Sequence, residues 1–282
     1  GGGRRALADL TDTGKPLKLT TRTNFVYKLK HRGCQKLMVN VRSRGEPVRR
    51  FIVENVAQHA TDIAKLTAEK FGISRQAVNK HLQNLVDEKA LVSEGRSRGR
   101  TYRLGALAGA QKRIPLAPGL TEDAVWRDEV APLLSELPSN VVSLWQYGFT
   151  EMFNNAIEHS GGRSIVVSTE RTAAGTQVLI ADDGVGIFKK IQRALGLADE
   201  RHSVLELAKG KLTTDPAHHS GEGIFFSSRM FDDFLIRSGG VFFSHQFGEA
   251  EDWVLEVDKQ ASGTSVWMRL SNHTARTTKK VF

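Results

Sequence analysis

Cysteine is nearly absent from this 282-residue chain, Cys34 being the only one. A lone thiol excludes an internal disulfide and a Cys-x-x-Cys metal site, so a reducing, cytoplasmic setting is the expectation. Long apolar runs are missing too. None approaches the ~20 residues that span a bilayer, and the opening residues hold no signal-like apolar core, so the reading is a soluble protein with no membrane partner. Internal repeats are also lacking. What is there, 40% hydrophobic residues over 282 positions, suffices for two domains with ordinary cores.

Charge is unevenly spread. Residues 1–104 carry 22 Lys+Arg against 9 Asp+Glu, a net +13, which leaves −4 for the rest of a chain whose total is +9. A basic excess confined to one part points to a polyanion-binding module more than to a solvated face.

Residues 1–37 begin with three glycines and show no sustained periodicity; periodic sequence starts just after Met38. The expectation is that Met38 approximates the natural start, that residues 1–42 are an extension, and that 25–29 form a short strand. From about Glu46 the spacing turns helical. Val48, Phe51, Ile52 and Val56 form one stripe, and Ile63, Ala64, Leu66 and Phe71 another after Thr61, a candidate N-cap. Gly72 stops the second helix and Ser74 caps a third, with Ala77, Val78, Leu82, Leu85 and Val86 inward and Arg75, Gln76, Asn79, Lys80 and Gln83 outward. Residues 90–94 and 101–104 read as strands around the loop GRSRGR, a hairpin with a basic tip at Arg96, Arg98 and Arg100.

Residues 43–104 therefore resemble the winged helix-turn-helix regulators, with GISRQAVNKHLQNLVDEKALV as the closest phrase. The resemblance implies DNA as partner. Ser74, Arg75, Gln76, Asn79 and Lys80 would enter a major groove, where Arg and Gln or Asn pair with base edges. Arg96, Arg98 and Arg100 would sit on phosphates. His81 reads as a packed or solvent-facing helix residue, since no second ligand lies at metal spacing.

Residues 105–120, with Gly105, Gly109, Pro115, Pro118 and Gly119, read as a linker. A helix is predicted over about 121–137, kinked at Pro132 and broken at Pro138, and a second from about Ser139 into the stretch EMFNNAIEHS. In that stretch Glu151, Asn154, Asn155, Glu158 and His159 share one face and Met152, Phe153, Ala156 and Ile157 the other. Two adjacent asparagines weaken a helix interior, so something other than helix stability explains them. Residues 165–169 and 177–181 read as a strand hairpin in a mixed sheet, followed by DDGVGI at 182–187. A polar, partly helical segment, 188–210, then leads through KLTTDPAHH to SGEGI at 220–224. Strands are expected near 234–237, 240–247, 253–257 and 264–270.

An acid/amide helix, two strands, an Asp-Gly-Gly turn, a long polar segment and a Gly-x-Gly opening a helix together resemble the GHKL ATPase superfamily of gyrase, MutL and the histidine kinases. The phrase SGTSVWMRL is similar to the closing strand of histidine-kinase domains. The expected fold is α+β: a winged helix-turn-helix followed by a two-layer α/β sandwich of Bergerat type over 121–271, with 272–282 as a tail.

The resemblance implies ATP and Mg²⁺. Asn155 would coordinate Mg²⁺ through its amide oxygen. Glu151 would orient and deprotonate the attacking water, and a carboxylate there favours hydrolysis over simple kinase chemistry. Asp182 would accept from the adenine amino group; Gly184 and Gly186 would let the backbone approach the base. Gly221 and Gly223 would offer N–H groups to phosphates at a helix start, Thr264 would add a contact near the base through a water, and 211–219 would be a mobile lid. His159 is either a nucleotide-proximal polar group or, the preferred reading, a helix-end residue set against the dipole. Lys209 and Lys211 either reach the triphosphate or stay solvated.

The whole resembles bacterial or archaeal regulators pairing a DNA-binding winged helix with this ATPase, some of which continue into a STAS-like domain. The first expectation is an ATP-gated transcription regulator, with a protein partner or homodimer open. The alternatives are a serine-protein kinase resembling anti-sigma factors, and a nucleotide-binding scaffold without turnover. The absence of a histidine in a phosphoacceptor-like helix counts against a histidine autokinase.

Overall fold

The computed structural model describes residues 45–208, 223–249 and 251–281. The expectations for Met38 and for 1–42, the strand at 25–29, Lys209, Lys211, the lid at 211–219, Gly221 and the Arg98 side chain lie outside the described set.

Three helices come first: α1 (Glu46–Asn55), α2 (Ile63–Phe71) and α3 (Arg75–Asp87). Pro47 in the first turn of α1 costs nothing because N–H groups there have no helical partner. Gly72 ends α2 at φ +62°, its amide bonded to the Ala68 carbonyl; Asp62, not Thr61, occupies the N-cap. The Ser74 hydroxyl accepts from the Ala77 amide at 3.2 Å and starts α3. Strands β1 (Leu91–Glu94) and β2 (Thr101–Leu104) pair antiparallel around a short 3-10 turn, Ser97–Gly99. Val48, Ile52, Ile63, Val78, Leu82, Leu85 and Leu91 close a core between them.

The segment 105–120, expected as a linker, instead carries β3 (Ala106–Pro115), which pairs antiparallel with β4 (Ser164–Thr172). Its glycine and prolines suggested a loop because an exposed edge strand needs few branched side chains when its neighbour supplies the register. Only Gly105 separates β2 from β3, and its amide donates to the Ala90 carbonyl at 2.9 Å.

Residues 121–137 form no single helix. A short α4 (Glu122–Val125) passes through a π-type turn, Trp126–Val130, into α5 (Ala131–Leu134). The wide turn falls immediately before Pro132, which cannot donate to a regular ladder and crowds the preceding turn. Pro138 then starts α6 (Ser139–His159), an unbroken 21-residue helix. Val141, Leu144, Trp145, Gly148, Phe149, Met152, Phe153 and Ala156 lie along its buried stripe.

That stripe packs on a five-stranded sheet ordered β3-β4-β5-β7-β6, with β5 (Gly175–Asp182), β6 (Asp233–Gln246) and β7 (Trp253–Ser271). Every pairing is antiparallel, so the expected mixed sheet is corrected. The four strands expected late in the chain merge into two long ones, bulged near Ser238 and Gly239. Helices α7 (Ile187–Leu195), α8 (Glu200–Ala208) and α9 (Gly223–Met230) complete the helical layer. This is an α+β arrangement of helices against an antiparallel sheet.

The final stretch is no free tail. Asn140 donates to the Thr274 and Arg276 carbonyls, both at 2.9 Å, Arg276 pairs with Asp232, and Asn272 is buried. A last turn, α10 (Thr278–Val281), follows. No helix among the described residues is long and apolar enough to cross a membrane.

Candidate functional site

One edge of the buried stripe of α6, along its last two turns, meets the ends of β5 and β7. A small open cavity lies there, bordered by these elements and by the start of α9. Asn155, His159 and Ser160 from the end of α6, Asp182 from β5 and Thr264 from β7 supply its polar wall. Met152, Ile180, Ile187, Ile224, Ile236 and Val266 supply apolar surface suited to a flat ring.

Asp182 is the best-defined group. Its Oδ1 accepts from the Gly184 amide at 2.9 Å and the Thr264 amide at 3.2 Å, and Oδ2 takes no donor among the described residues. Burial pushes its carboxyl above the ordinary value. The two amide bonds offset part of this, and the adjacent Asp183 charge adds to it. A desolvated acceptor with one oxygen fixed and one uncommitted is well formed to receive a ligand N–H.

Thr264 ties β7 to the site: its amide holds Asp182 and its hydroxyl accepts from the Ile187 amide at 2.9 Å, the first N–H of α7. Gly186, at φ +96°, turns the chain into α7 where any Cβ would stand 2.6 Å from Ser238 Oγ. Gly184 lies against the Ser160 carbonyl so closely that a Cβ would overlap it.

Glu151 sits one turn before Asn155 on the same helix, and its carboxylate abuts Gly223, the first residue of α9. The structure thus brings Glu151, Asn155, Asp182, Gly184, Gly186, Thr264 and Gly223 to one region. His159 ends α6 and lines the cavity. The Lys190 ammonium donates to its carbonyl at 3.1 Å, a cation at a helix C-terminus.

No cluster of three or more His, Cys, Asp or Glu among the described residues could hold a metal by itself. One amide oxygen from Asn155 nevertheless fits Mg²⁺ carried in by a polyphosphate, which takes few protein ligands.

Sequence reading missed three residues here. Ser160 lines the cavity, Asp183 bonds the neighbouring loop, and Gly263 packs so tightly on the Asp182 carbonyl that a Cβ would overlap it. Asp183 stood within the quoted DDGVGI, and Gly263 within SGTSVWMRL, so both signals were present without a stated role.

The outward residues of α3 form a second set. Ser74, Arg75, Gln76, Asn79 and Lys80 are all exposed, opposite the buried Val78, Leu82 and Leu85. Arg96 and Arg100 are exposed at the tip of the β1–β2 hairpin.

Residues 118–241 match the family model of the histidine kinase-like ATPase domain. That stretch runs from before α4 into β6 and holds Glu151, Asn155, Asp182 and Gly223, with Thr264 beyond it. No curated protein matches the sequence.

Proposed function

We propose that this chain, with its histidine kinase-like ATPase domain match over residues 118–241, is an ATP-binding transcription regulator in which Mg-ATP binding and hydrolysis modulate DNA binding by an N-terminal winged helix. One observation carries the nucleotide half: an Asp182 carboxylate with Oδ1 held by two amides and Oδ2 uncommitted, sharing an apolar cavity with Asn155.

Adenine offers an amino N–H where guanine offers a carbonyl. Asp182 Oδ2 therefore accepts from ATP and repels GTP, a discrimination of the polar-pairing kind. Isoleucine and valine side chains cover the faces of the base. Asn155 would hold the metal through its amide oxygen, and the ion would supply charge neutralisation at the phosphates. Glu151 takes the proton of a water attacking in line, with the N-terminus of α9 beside it to stabilise anionic oxygens.

The DNA half rests on α3 and the hairpin. Three helices followed by a hairpin, a capped third helix with its polar face exposed, and arginines at the hairpin tip fit a winged helix with Arg75, Gln76, Asn79 and Lys80 toward base edges. Arg96, Arg98 and Arg100 would contact phosphates.

Coupling between the halves has a physical route within the one compact unit Arg44–Phe282. Strand β2 passes through Gly105 into β3, and Ala173 and Ala174, at the turn between β4 and β5, pack against the helical core. Strand β5 then runs from that turn to Asp182. Nucleotide shifts DNA affinity only insofar as it binds two arrangements differently. A DNA-shift assay with and without Mg-ATP tests the reading: DNA affinity that changes with ATP but not with GTP is expected, and equal affinity in all three conditions overturns it.

A further inference from the structure

Asp182 selects a base only as well as its turn is held, and the residue after it holds that turn. Asp183 faces away from the cavity toward the loop joining α6 to β4. Its Oδ1 accepts from the Arg163 amide at 2.6 Å and the Ser164 amide at 3.0 Å, and its Oδ2 from the Ser164 hydroxyl at 2.9 Å. Arg113 on β3 donates to the same hydroxyl at 2.8 Å. Running back the other way, the Val185 amide donates to the Ser160 carbonyl at 2.9 Å, against which Gly184 is packed. The segments 160–164 and 182–185 are therefore laced together at Asp183 and again at Val185, and Ser160 itself lines the cavity.

We propose that Asp183 is a positioning residue for adenine recognition, binding the loop after α6 to the turn after β5 so that Asp182 Oδ2 keeps its aim into the cavity. The proposal rests on the nucleotide reading above. Three short bonds, two of them to backbone N–H groups, are more than a solvent-exposed carboxylate forms by chance. They also hold that carboxyl charged: desolvation opposes ionisation, but the bonds from Arg163 and Ser164 outweigh it and set the pKa below the ordinary value. Asp183 does not line the cavity. It acts through Asp182, and its loss removes the side-chain tie between the turn after β5 and the loop after α6, leaving the Val185 amide bond to Ser160.

A purely structural cap on β4 and a positioning residue differ in what they change. Loss of a cap lowers melting temperature and weakens every nucleotide alike; loss of a positioning residue changes the ratio of ATP to GTP affinity. Fluorescent ATP and GTP analogues titrated into the full chain and into Asp183→Ala, Asp183→Asn, Ser164→Ala and Asp182→Asn separate the two. For Asp183→Ala the expected result is roughly tenfold weaker ATP binding, worth 1.4 kcal/mol, with GTP binding changed less than about twofold. Asn keeps an acceptor for both amides, so Asp183→Asn should recover most of the ratio. Ser164→Ala, which removes one bond of three, should shift it less and in the same direction. A wild-type chain with no ATP preference, or one that Asp182→Asn leaves unaltered, overturns the nucleotide reading and this inference together. A wild-type preference abolished by Asp182→Asn but untouched by Asp183→Ala and Ser164→Ala overturns the inference alone.

Discussion

The Thr264 amide reaches across 82 residues of sequence to donate to Asp182 Oδ1 at 3.2 Å. The same threonine caps α7 through its hydroxyl, so one residue of β7 fixes both the acceptor and the helix that follows it. An acceptor held this way is costly when empty. Burial raises the Asp182 pKa, so the folded chain binds its proton more tightly than the unfolded chain does. The stability from that proton is fully present below the unfolded value and lost as pH rises through the folded one, leaving a net cost at neutral pH. Asp182→Asn removes the charge. Its melting temperature at neutral pH should equal or exceed that of wild type while ATP preference is lost. The pH profile of wild-type ATP binding should fall on acidification at a pH above the ordinary aspartate range.

In the proposed reading Glu151 is the carboxylate that activates water. Replacing it with alanine should lower ATP hydrolysis by about 10²–10⁴-fold, the usual contribution of a general base, with ATP affinity close to wild type. Single-turnover hydrolysis beside analogue titration reads both. Labelled γ-phosphate passing to a co-purified protein would favour the serine-kinase alternative, and a wild type without turnover the scaffold.

Gly223 is where α9 begins against that carboxylate. A methyl group there must displace the Glu151 side chain, because the space a Cβ needs is occupied by its Oε2. Gly223→Ala should lower hydrolysis while melting temperature stays within a degree or two, since the neighbour that yields is a flexible side chain. A fall in stability with unchanged turnover would contradict this placement.

For DNA, affinity should drop steeply with salt, by about 10³–10⁵ between 50 and 200 mM if six to ten phosphates are engaged. Arg75→Ala should cost roughly 1–3 kcal/mol if Arg75 pairs with a base edge, and relax preference at one base position. A flat salt response measured by fluorescence anisotropy would argue for a protein-binding role of the three-helix module.

How legible the chain was depends on how local each signal is. The face shared by Glu151 and Asn155 follows from helical spacing alone, and the Ser74 cap from one side chain and the backbone three residues on. Strand β3 was not legible, because Gly109 and Pro115 carry the composition of a loop and only pairing with β4 makes them part of a strand. The docked end of the chain depends on Asn140, 134 residues before the Thr274 carbonyl it binds. Asp183 and Gly263 share that difficulty: the partners of Asp183 lie 19 and 20 residues earlier, and Gly263 meets a carbonyl from another strand. Pattern reading finds faces and caps; it does not find which loop a given carboxylate ties down.

The measurement that bears most directly on the central claim is calorimetric titration of ATP and GTP, with and without Mg²⁺, into the full chain and into Asn155→Ala. The account predicts saturable ATP binding that Mg²⁺ strengthens, little GTP binding, and loss of the Mg²⁺ enhancement on removing the Asn155 amide. Equal binding of the two nucleotides, or a Mg²⁺ effect indifferent to Asn155, would contradict it.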